Sequence, residues 1–599
     1  MKRQEVLNNF KWNVSDIYTD EKSFKKDLKA VIEGNLALLK YKGKLNDFEV
    51  FKDFFIENEK INEIEEKIGH YFKILEVEQN NKLAQRLESI YQQELSELDG
   101  KFTWINEEIK HFDQEKFLNF IKNDNTLKSY LQGYKEFFKN LKYLLPYDER
   151  ELLSLTSSSS CAMSEMYNTL LVKDNIAKEV EILGQNYKLD NTTYSQIMSK
   201  TDPIKDQFLR AQFAKLYRER IKENKYTFTK IYDALIRENI EYSNMIGMDN
   251  YFDYYFDDED FYKTELEVLT QAVKENQHLF KRYLKLYKTH FNFKEKFYNT
   301  DTSLRFAKEK NETYSVEQAK EIIRESLKVL GPEYLEKLEN SWSDYKVDYY
   351  EDENKSEGAF TINSYNFDTL VSMNWTDDME SVYTLTHEIG HAVHFDFARQ
   401  YQPKPLHSFG NIIAEVASTL NEHLLSDHLL KNEDIDGQIN ILQNKIDFLV
   451  LNIFSSVRFT KFEMLCHQLI QEGKSVTQET LKEVFEQVKY GIDFMDEFEK
   501  DVELYSWIDI SHLFEQPFYL HKYAVSVSVA FKIYTDFKEK QDPNIILDYL
   551  KMGGSLEPMK LFEKVGFDCK SIDSYKPIMS LIEESIDKLE ELLNKKTSV

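Results

Sequence analysis

Apolar residues recur at intervals of three and four along most of the chain, which is the periodicity of an amphipathic helix. The pattern runs from about Phe24 to Leu131, from Asp206 to about Leu330, and from beyond Trp375 nearly to the C-terminus. In the first of these segments the repeating apolar positions include Phe51, Phe54, Phe55, Ile61, Ile64, Ile68 and Tyr71. No longer fixed period is present, so the pattern predicts a helical protein and not a solenoid of repeats.

One segment, between Trp342 and Trp375, has a different pattern and predicts a small sheet. Apolar and polar positions alternate around Val347 and Tyr349, and short β-prone runs follow at 359–362 and 369–373. The edge of a strand can bind an extended peptide through backbone groups. We therefore expect this sheet to line a binding site.

Composition agrees with long helices joined by few connections. The 599 residues include only 17 Gly and 9 Pro, whereas average usage is about 7% Gly and 5% Pro and a sheet-rich protein needs many turn residues. Hydrophobic residues make up 42% of the chain, which is enough for a large core and argues against disorder. No run approaches the length of a membrane span. The predicted fold class is mostly α with one small sheet.

Charge and cysteine content exclude further classes of function. The 77 basic and 105 acidic residues give a net charge of −28, which repels phosphate backbones, so nucleic-acid binding is not expected. Cys161, Cys466 and Cys569 are far apart in sequence and predict neither a disulfide framework nor a thiolate metal site. No secretory signal is visible at the N-terminus, and the expected compartment is the reducing cytoplasm. The sequence indicates no membrane association and no obligate protein partner.

Residues 387–391 read H-E-I-G-H, an H-E-x-x-H motif whose chemistry requires a helix. Four residues apart on a helix, His387 and His391 lie about 6 Å apart along the axis and can bind one metal ion. Glu388 can then reach a water molecule on that metal. Asp377, followed by Glu380, is predicted to cap the helix. The apolar stripe of this helix consists of Val382, Leu385, Ile389 and Val393.

A catalytic zinc ion normally has three protein ligands, so a third one is needed. A metzincin would have Gly at 394 and His at 397, but this chain has His394 and Phe397, which excludes that class. A di-iron carboxylate site would need a second E-x-x-H on a neighbouring helix, and none accompanies the motif. Glu415 interrupts an apolar helical pattern 24 residues after His391. A carboxylate in such surroundings is costly unless it is paired or binds a metal, so Glu415 is the predicted third ligand.

With these residues in place, the chain resembles the oligoendopeptidase F family of zinc metallopeptidases, relatives of the thimet oligopeptidases. The resemblance extends over nearly the whole length and includes the zinc motif, the helix of the third ligand, the segments before the motif and several C-terminal segments. The segments that resemble the family are 12–18, 355–360, 373–376, 384–394, 414–419, 512–514, 517–519, 553–555 and 566–568.

The resemblance implies a large helical ellipsoid with a deep internal channel that only unfolded oligopeptides enter, and a small sheet beside the zinc-binding helices. It also implies three successive regions. These are an N-terminal helical region (1–115), an oligopeptidase N-terminal-type helical domain (116–200) and a catalytic zinc metallopeptidase domain (201–599).

The resemblance further implies that His512 and Tyr519 contact the substrate carbonyl or its oxyanion. Relatives commonly read F-Y-V-Y-Q-Y where residues 518–523 of this chain read F-Y-L-H-K-Y. His521 therefore stands where the family has a tyrosine, and Tyr523 is a further candidate. Which side chain donates to the oxyanion stays open.

Three more residues are candidates for supporting roles. Glu422 lies seven residues beyond Glu415 and so on the same helix face, where we expect it to orient one of the two histidine ligands. Gly358 and Ala359 lie in a segment that resembles the family just before the zinc helix, and we expect them near the substrate.

The predicted function is therefore that of a zinc oligoendopeptidase that cuts internal bonds of short unfolded peptides. One Zn²⁺ is expected on His387, His391 and Glu415, with Glu388 taking a proton from the zinc-bound water and returning it to the leaving amine. Two alternatives stay open. One is a zinc carboxypeptidase that removes single C-terminal residues, and the other is a catalytically inactive helical binding protein.

Overall fold

A computed structural model describes residues 3–99, 101–154, 162–248, 252, 261–294, 296–308, 310, 312–488 and 504–597. The structure is 71% helical and has only small sheets, so the predicted mostly α fold class is confirmed. The ellipsoidal outline and the internal channel stay predictions.

The chain forms two compact units, and each unit is assembled from three separate stretches of sequence. The first unit comprises residues 1–150, 312–425 and 536–556, and the second comprises 151–311, 426–535 and 557–599. The division of the chain into three contiguous regions stays a prediction.

Helices make up most of both units. Those of the first unit are Glu21–Leu38, Phe48–Phe72, Ile74–Val77, Lys82–Asp99, Trp104–Ile109, Gln114–Asn123, Leu131–Asn140, Val316–Leu327, Pro332–Ser341, Met379–Tyr401 and Asn544–Met552. Those of the second unit are Ala162–Asn168, Asn191–Lys200, Gln207–Lys222, Lys225–Met245, Lys263–His290, Ile435–Leu449, Ser456–Gln471, Gln478–Gln487, His512–Glu515, Pro558–Lys564 and Lys576–Thr597. Three of the five boundaries between the units fall within helices, which are Tyr147–Ser154, Asn411–Asn432 and His521–Lys540.

The helix Phe48–Phe72 shows how the apolar periodicity becomes structure. Asp47 caps it by accepting hydrogen bonds from the backbone N–H groups of Glu49 and Val50, which satisfies two donors that the helix itself leaves unpaired. Its predicted apolar positions lie on one face, and all but Ile64 are buried. That face packs in the core of the first unit, so burial of apolar area stabilises the helix.

The small sheet that the sequence predicted between Trp342 and Trp375 is present in the first unit, so this prediction is confirmed. Before it in sequence, β1 (Glu179–Ile182) and β2 (Gln185–Lys188) form a hairpin in the second unit. The small sheet itself contains β3 (Val347–Tyr350), β4 (Phe360–Ile362) and β5 (Leu370–Trp375) in the order β3-β5-β4. Strand β5 pairs parallel to β3 and antiparallel to β4.

The β1–β2 hairpin was not predicted from the sequence. Its turn residues, Leu183 and Gly184, both have positive φ, +56° and +80°, as a type I′ turn requires. Leucine rarely adopts this conformation, so Leu-Gly does not carry the signal that Asn-Gly carries.

We call Met379–Tyr401 the histidine helix. Its predicted apolar stripe is fully buried, and the helix packs on β4 and β5. The predicted cap, Asp377, was wrong by one residue. Asp378 is the N-cap and accepts from the Ser381 backbone N–H, whereas Asp377 has a φ of +59° and accepts from the Trp375 indole N–H.

Two further sequence expectations concern membranes and thiols. Across the described residues, every helix is too short or too polar to cross a bilayer. Cys466 and Cys569 are buried free thiols, and Cys161 lies outside the described residues.

The buried His70 gives the fold a pH dependence that can be measured. His70 is 7% exposed and stacks on the ring of Phe367 at 4.6 Å, and burial lowers its pKa to about 4. An unfolded chain has a histidine pKa of about 6.5, so below pH 6.5 the unfolded state binds a proton that the folded state does not. Stability from this group is therefore present above pH 6.5 and lost as the pH falls towards 4.

We expect His70→Phe, which keeps an aromatic ring but cannot titrate, to reduce the loss of unfolding free energy between pH 7 and pH 5 by about 2 kcal/mol. Urea unfolding at both pH values measures the difference, with His278→Phe at an exposed histidine as the control. An unchanged pH slope in His70→Phe would contradict the prediction.

Candidate metal centre and active site

Two helices bring together three potential metal ligands, all of which lie in the first unit. His387 and His391 lie one turn apart on the histidine helix, and Glu415 lies in the first turns of Asn411–Asn432, which we call the glutamate helix. The two histidine Nε2 atoms are 3.1 Å apart. Glu415 Oε2 lies 3.4 Å from Nε2 of His387 and 3.8 Å from Nε2 of His391.

These three separations fit a single metal ion. A tetrahedral ion with bonds of about 2.0–2.1 Å keeps neighbouring ligand atoms about 3.3–3.4 Å apart, which lies within the observed range. Two imidazole nitrogens and one carboxylate oxygen also form a donor set that divalent transition metals accept. Among the described residues, this His/His/Glu group is the one cluster of such side chains that could hold a metal ion.

Close packing at Gly390 brings the glutamate helix to the histidines. A Cβ atom added at Gly390 would lie 2.7 Å from Cα of Ser418, so only glycine allows this approach. Asn421 joins the same two helices, because its side-chain N–H donates to the backbone oxygen of Thr386 at 3.3 Å and its oxygen accepts from the Tyr334 hydroxyl at 2.7 Å. These contacts were not predicted from the sequence, although a glycine inside a helical motif is a signal of close approach.

The carboxylates around the histidines have defined partners. Glu422 Oε1 lies 2.5 Å from Nδ1 of His387. With Nε2 available to a metal, Nδ1 carries the ring proton and its N–H donates a hydrogen bond to Glu422. Ser418 Oγ donates to Oε2 of Glu415 at 3.2 Å. Burial raises the pKa of Glu415, but its hydrogen bonds with His387 and Ser418 and the charges of the two histidines together outweigh burial and hold the pKa well below the usual range. Glu422 therefore lies against His387, and its orienting role stays a prediction.

Glu388 is 6% exposed and lies against strand β4. Thr361 Oγ1 is 2.7 Å from Oε2 of Glu388 and 2.9 Å from its backbone oxygen. Burial raises the pKa of the Glu388 carboxyl above its usual value, which favours a group that accepts and later releases a proton near neutral pH. The sequence pattern predicted a strand at Thr361 but not its contact with Glu388.

Gly358 and Ala359 lead into β4, whose second edge has no partner strand among the described residues. Gly358 has a φ of +78° and is exposed, and its backbone oxygen accepts from the side-chain amide of Asn374 at 2.7 Å. This bond ties the loop before β4 to β5. The backbone of β4 is therefore held in place with one edge available for pairing.

The second unit holds the remaining predicted site residues. His512, Tyr519 and Tyr523 form a half-buried cluster, in which the rings of His512 and Tyr519 stack at 5.5 Å and Nε2 of His512 lies 3.3 Å from the Tyr523 hydroxyl. His521 is fully buried, and its ring stacks on Phe261 at 4.7 Å. The catalytic roles of these four residues stay predictions.

Comparison with known proteins agrees with this geometry. A family model described as peptidase family M3 matches residues 203–581, and one described as oligopeptidase F matches residues 108–175. The chain is 28% identical to the oligopeptidase PepF of Bacillus subtilis over 99% of this chain and 88% of that protein. It is 27% identical to an oligoendopeptidase F homolog of Borreliella burgdorferi over 94% of this chain and 95% of the relative.

Solved structures show the same fold. A crystal structure from Chlamydophila abortus superposes with a TM-score of 0.84 at 22% identity, covering 99% of each chain. The oligoendopeptidase F of Enterococcus faecium superposes with a TM-score of 0.72 at 20% identity, covering 96% of this chain and 99% of that one. The family models, the curated relatives and the His/His/Glu group beside a buried glutamate lead to one conclusion: the chain belongs to peptidase family M3, within the oligoendopeptidase F group, and is a metalloendopeptidase.

Proposed function

We propose that this protein is a zinc-dependent oligoendopeptidase that hydrolyses internal bonds of short unfolded peptides. The observation that carries the proposal is the triangle of His387, His391 and Glu415 ligand atoms with Glu388 on the same helix. The free buried thiols of Cys466 and Cys569 are consistent with activity in the reducing cytoplasm.

Two imidazoles and one carboxylate are a donor set of catalytic zinc sites, in which water takes the fourth position. When bound, it would polarise the scissile carbonyl and lower the pKa of a water molecule in the site. Glu422 supports this arrangement by accepting the Nδ1 proton of His387, which leaves Nε2 unprotonated for the metal.

Glu388 acts as the general base and then as the general acid. Thr361 donates to Oε2 of Glu388 and holds the carboxylate in place, and the carboxylate accepts the proton of the attacking water. Burial raises the Glu388 pKa, so the carboxyl holds that proton until it passes to the leaving amine.

The peptide is bound by the backbone of the small sheet. The open edge of β4, with Gly358 and Ala359 before it, offers backbone groups to an extended chain. His512 and Tyr519 are proposed to donate hydrogen bonds to the substrate carbonyl, and one well-placed donor contributes about 3–4 kcal/mol to the transition state. The cluster in which these two rings stack supports a shared role.

Removal of the base or of the metal tests the proposal. We expect Glu388→Gln to lower kcat by about 10²–10⁴-fold, because general acid–base catalysis is lost, while the variant still binds one zinc ion. A chelator should abolish activity, and added Zn²⁺ should restore it.

The assay uses peptides blocked at both ends with mass spectrometry of the products. Full activity in Glu388→Gln would refute the mechanism, and stepwise loss of C-terminal residues from an unblocked peptide would indicate a carboxypeptidase.

Gly390→Ala tests whether close helix packing sets the ligand triangle. The added methyl overlaps the backbone of Ser418, and overpacking of this kind costs about 1–3 kcal/mol. The strain is relieved by separation of the two helices, so we expect zinc affinity to fall about ten-fold or more. Competition with a coloured chelator measures the affinity.

Gly69→Ala is the matched control, because Gly69 is also helical and a Cβ there meets nothing within 4 Å. Equal zinc affinity in Gly390→Ala and wild type would show that the close packing of the two helices at Gly390 does not set the positions of the three ligands.

Glu422→Gln tests the orientation of His387. A glutamine accepts the Nδ1 proton without the negative charge, so we expect zinc affinity or turnover to fall roughly 10–100-fold. Isothermal titration of the metal-free protein with Zn²⁺ gives the affinity, and circular dichroism checks that the fold is kept. Wild-type affinity together with wild-type turnover would rule out the role.

A further inference from the structure

The turn before Tyr519 has a strained backbone. Phe518 has a φ of +56°, a conformation that is unfavourable for a bulky residue and persists only where surrounding contacts hold it. The turn follows the short helix that carries His512 and is closed by a hydrogen bond from the Tyr519 N–H to the backbone oxygen of Gln516 at 3.2 Å. Its conformation therefore determines where the Tyr519 ring lies relative to His512.

Glu463 holds this turn from the helix Ser456–Gln471. The backbone N–H of Phe518 donates to both oxygens of the Glu463 carboxyl, at 2.9 and 3.0 Å. The two residues are 55 positions apart in sequence and belong to the same unit. Glu463 is 1% exposed, so this bond is shielded from water.

One helical turn further on, His467 holds the side chain of the same residue. The rings of His467 and Phe518 are 4.8 Å apart, and Phe252 packs edge-on against Phe518 at 4.9 Å. Glu463 thus holds the backbone of Phe518 and His467 holds its ring, from positions one turn apart on one helix. Such double contact explains how the strained φ is maintained.

The carboxyl at 463 is costly for stability. It lies among apolar core residues, including Phe459, Phe462 and Cys466, and burial raises its pKa well above the usual range. An apolar side chain at this position would avoid that cost but could not accept the Phe518 N–H. The presence of an acid at this position, bonded to the Phe518 N–H, points to a role in shaping the turn.

We propose that Glu463 is a positioning residue, which fixes the Phe518 turn and through it the geometry of Tyr519 beside His512. The inference rests on the proposed function, because it assumes that Tyr519 assists catalysis. Glu463 itself touches neither substrate nor metal in this proposal. It acts by holding one backbone N–H.

Two substitutions at 463 separate the acceptor from the rest of the side chain. Glu463→Met removes the acceptor at nearly constant volume, and Glu463→Gln keeps one acceptor oxygen. We expect Glu463→Met to lower kcat about 10–100-fold with KM changed less than about three-fold, because a misplaced catalytic group costs rate more than binding. Glu463→Gln should stay within about three-fold of wild type.

A double-mutant cycle tests whether the effect passes through Tyr519. In the Tyr519→Phe background, Glu463→Met should cause less than about a three-fold further loss, since the hydroxyl that it positions is already absent. Hydrogen exchange of the metal-free protein gives a readout independent of activity. Peptides that cover the Phe518 amide should exchange faster in Glu463→Met and at the wild-type rate in Glu463→Gln.

A wild-type kcat in Glu463→Met would overturn the positioning role. So would a double variant whose loss of kcat equals the product of the losses in Glu463→Met and Tyr519→Phe. If Glu463→Met does not fold, Glu463→Gln decides the question, and a large loss of kcat or of amide protection in that variant overturns the proposal. Failure of the proposed function is seen in different measurements. The peptidase activity of the wild-type protein would then not fall when a chelator is added, or the Glu388→Gln variant would keep full activity.

Discussion

The crossing of the histidine helix and the glutamate helix is the constraint on which the candidate site depends. Two residues four apart on a helix can supply two ligands, but the third must come from another element at a fixed distance. Gly390 allows the backbone of Ser418 to approach closely enough for Glu415 to reach the histidines. Asn421 then joins the two helices through the backbone oxygen of Thr386, so the separation is held by packing and by hydrogen bonding.

Each acid at the site is placed by a specific neighbour, because a buried carboxylate without partners would be costly. Glu422 lies against His387, and Glu388 accepts from Thr361 on strand β4. The contact with Thr361 also joins the histidine helix to the edge strand β4, so the proposed general base and the proposed peptide-binding edge are held by one hydrogen bond. In the second unit, Glu463 holds a turn by the same means, with a backbone N–H as its partner.

Much of the fold could be predicted because helical periodicity is a local property. The apolar stripe of the histidine helix is buried as expected, and the small sheet lies where the alternating pattern begins. The errors have local causes too. Asp377 and Asp378 both suit an N-cap by residue type. Asp378 has the extended backbone of an N-cap residue, whereas Asp377 has a positive φ. The hairpin turn at Leu183 and Gly184 carries no common turn signal, so it was missed.

By itself, the sequence determined the helical class, the two histidines with Glu388 between them, and a glutamate in an apolar helix as the expected third ligand. Those inferences need only the spacing of residues within one element. The tertiary structure decided which of the two histidines Glu422 meets, and it alone brought Thr361 to Glu388 and Glu463 to Phe518. Such contacts join residues 27 to 55 positions apart. They follow from how helices and strands pack, which no local pattern encodes.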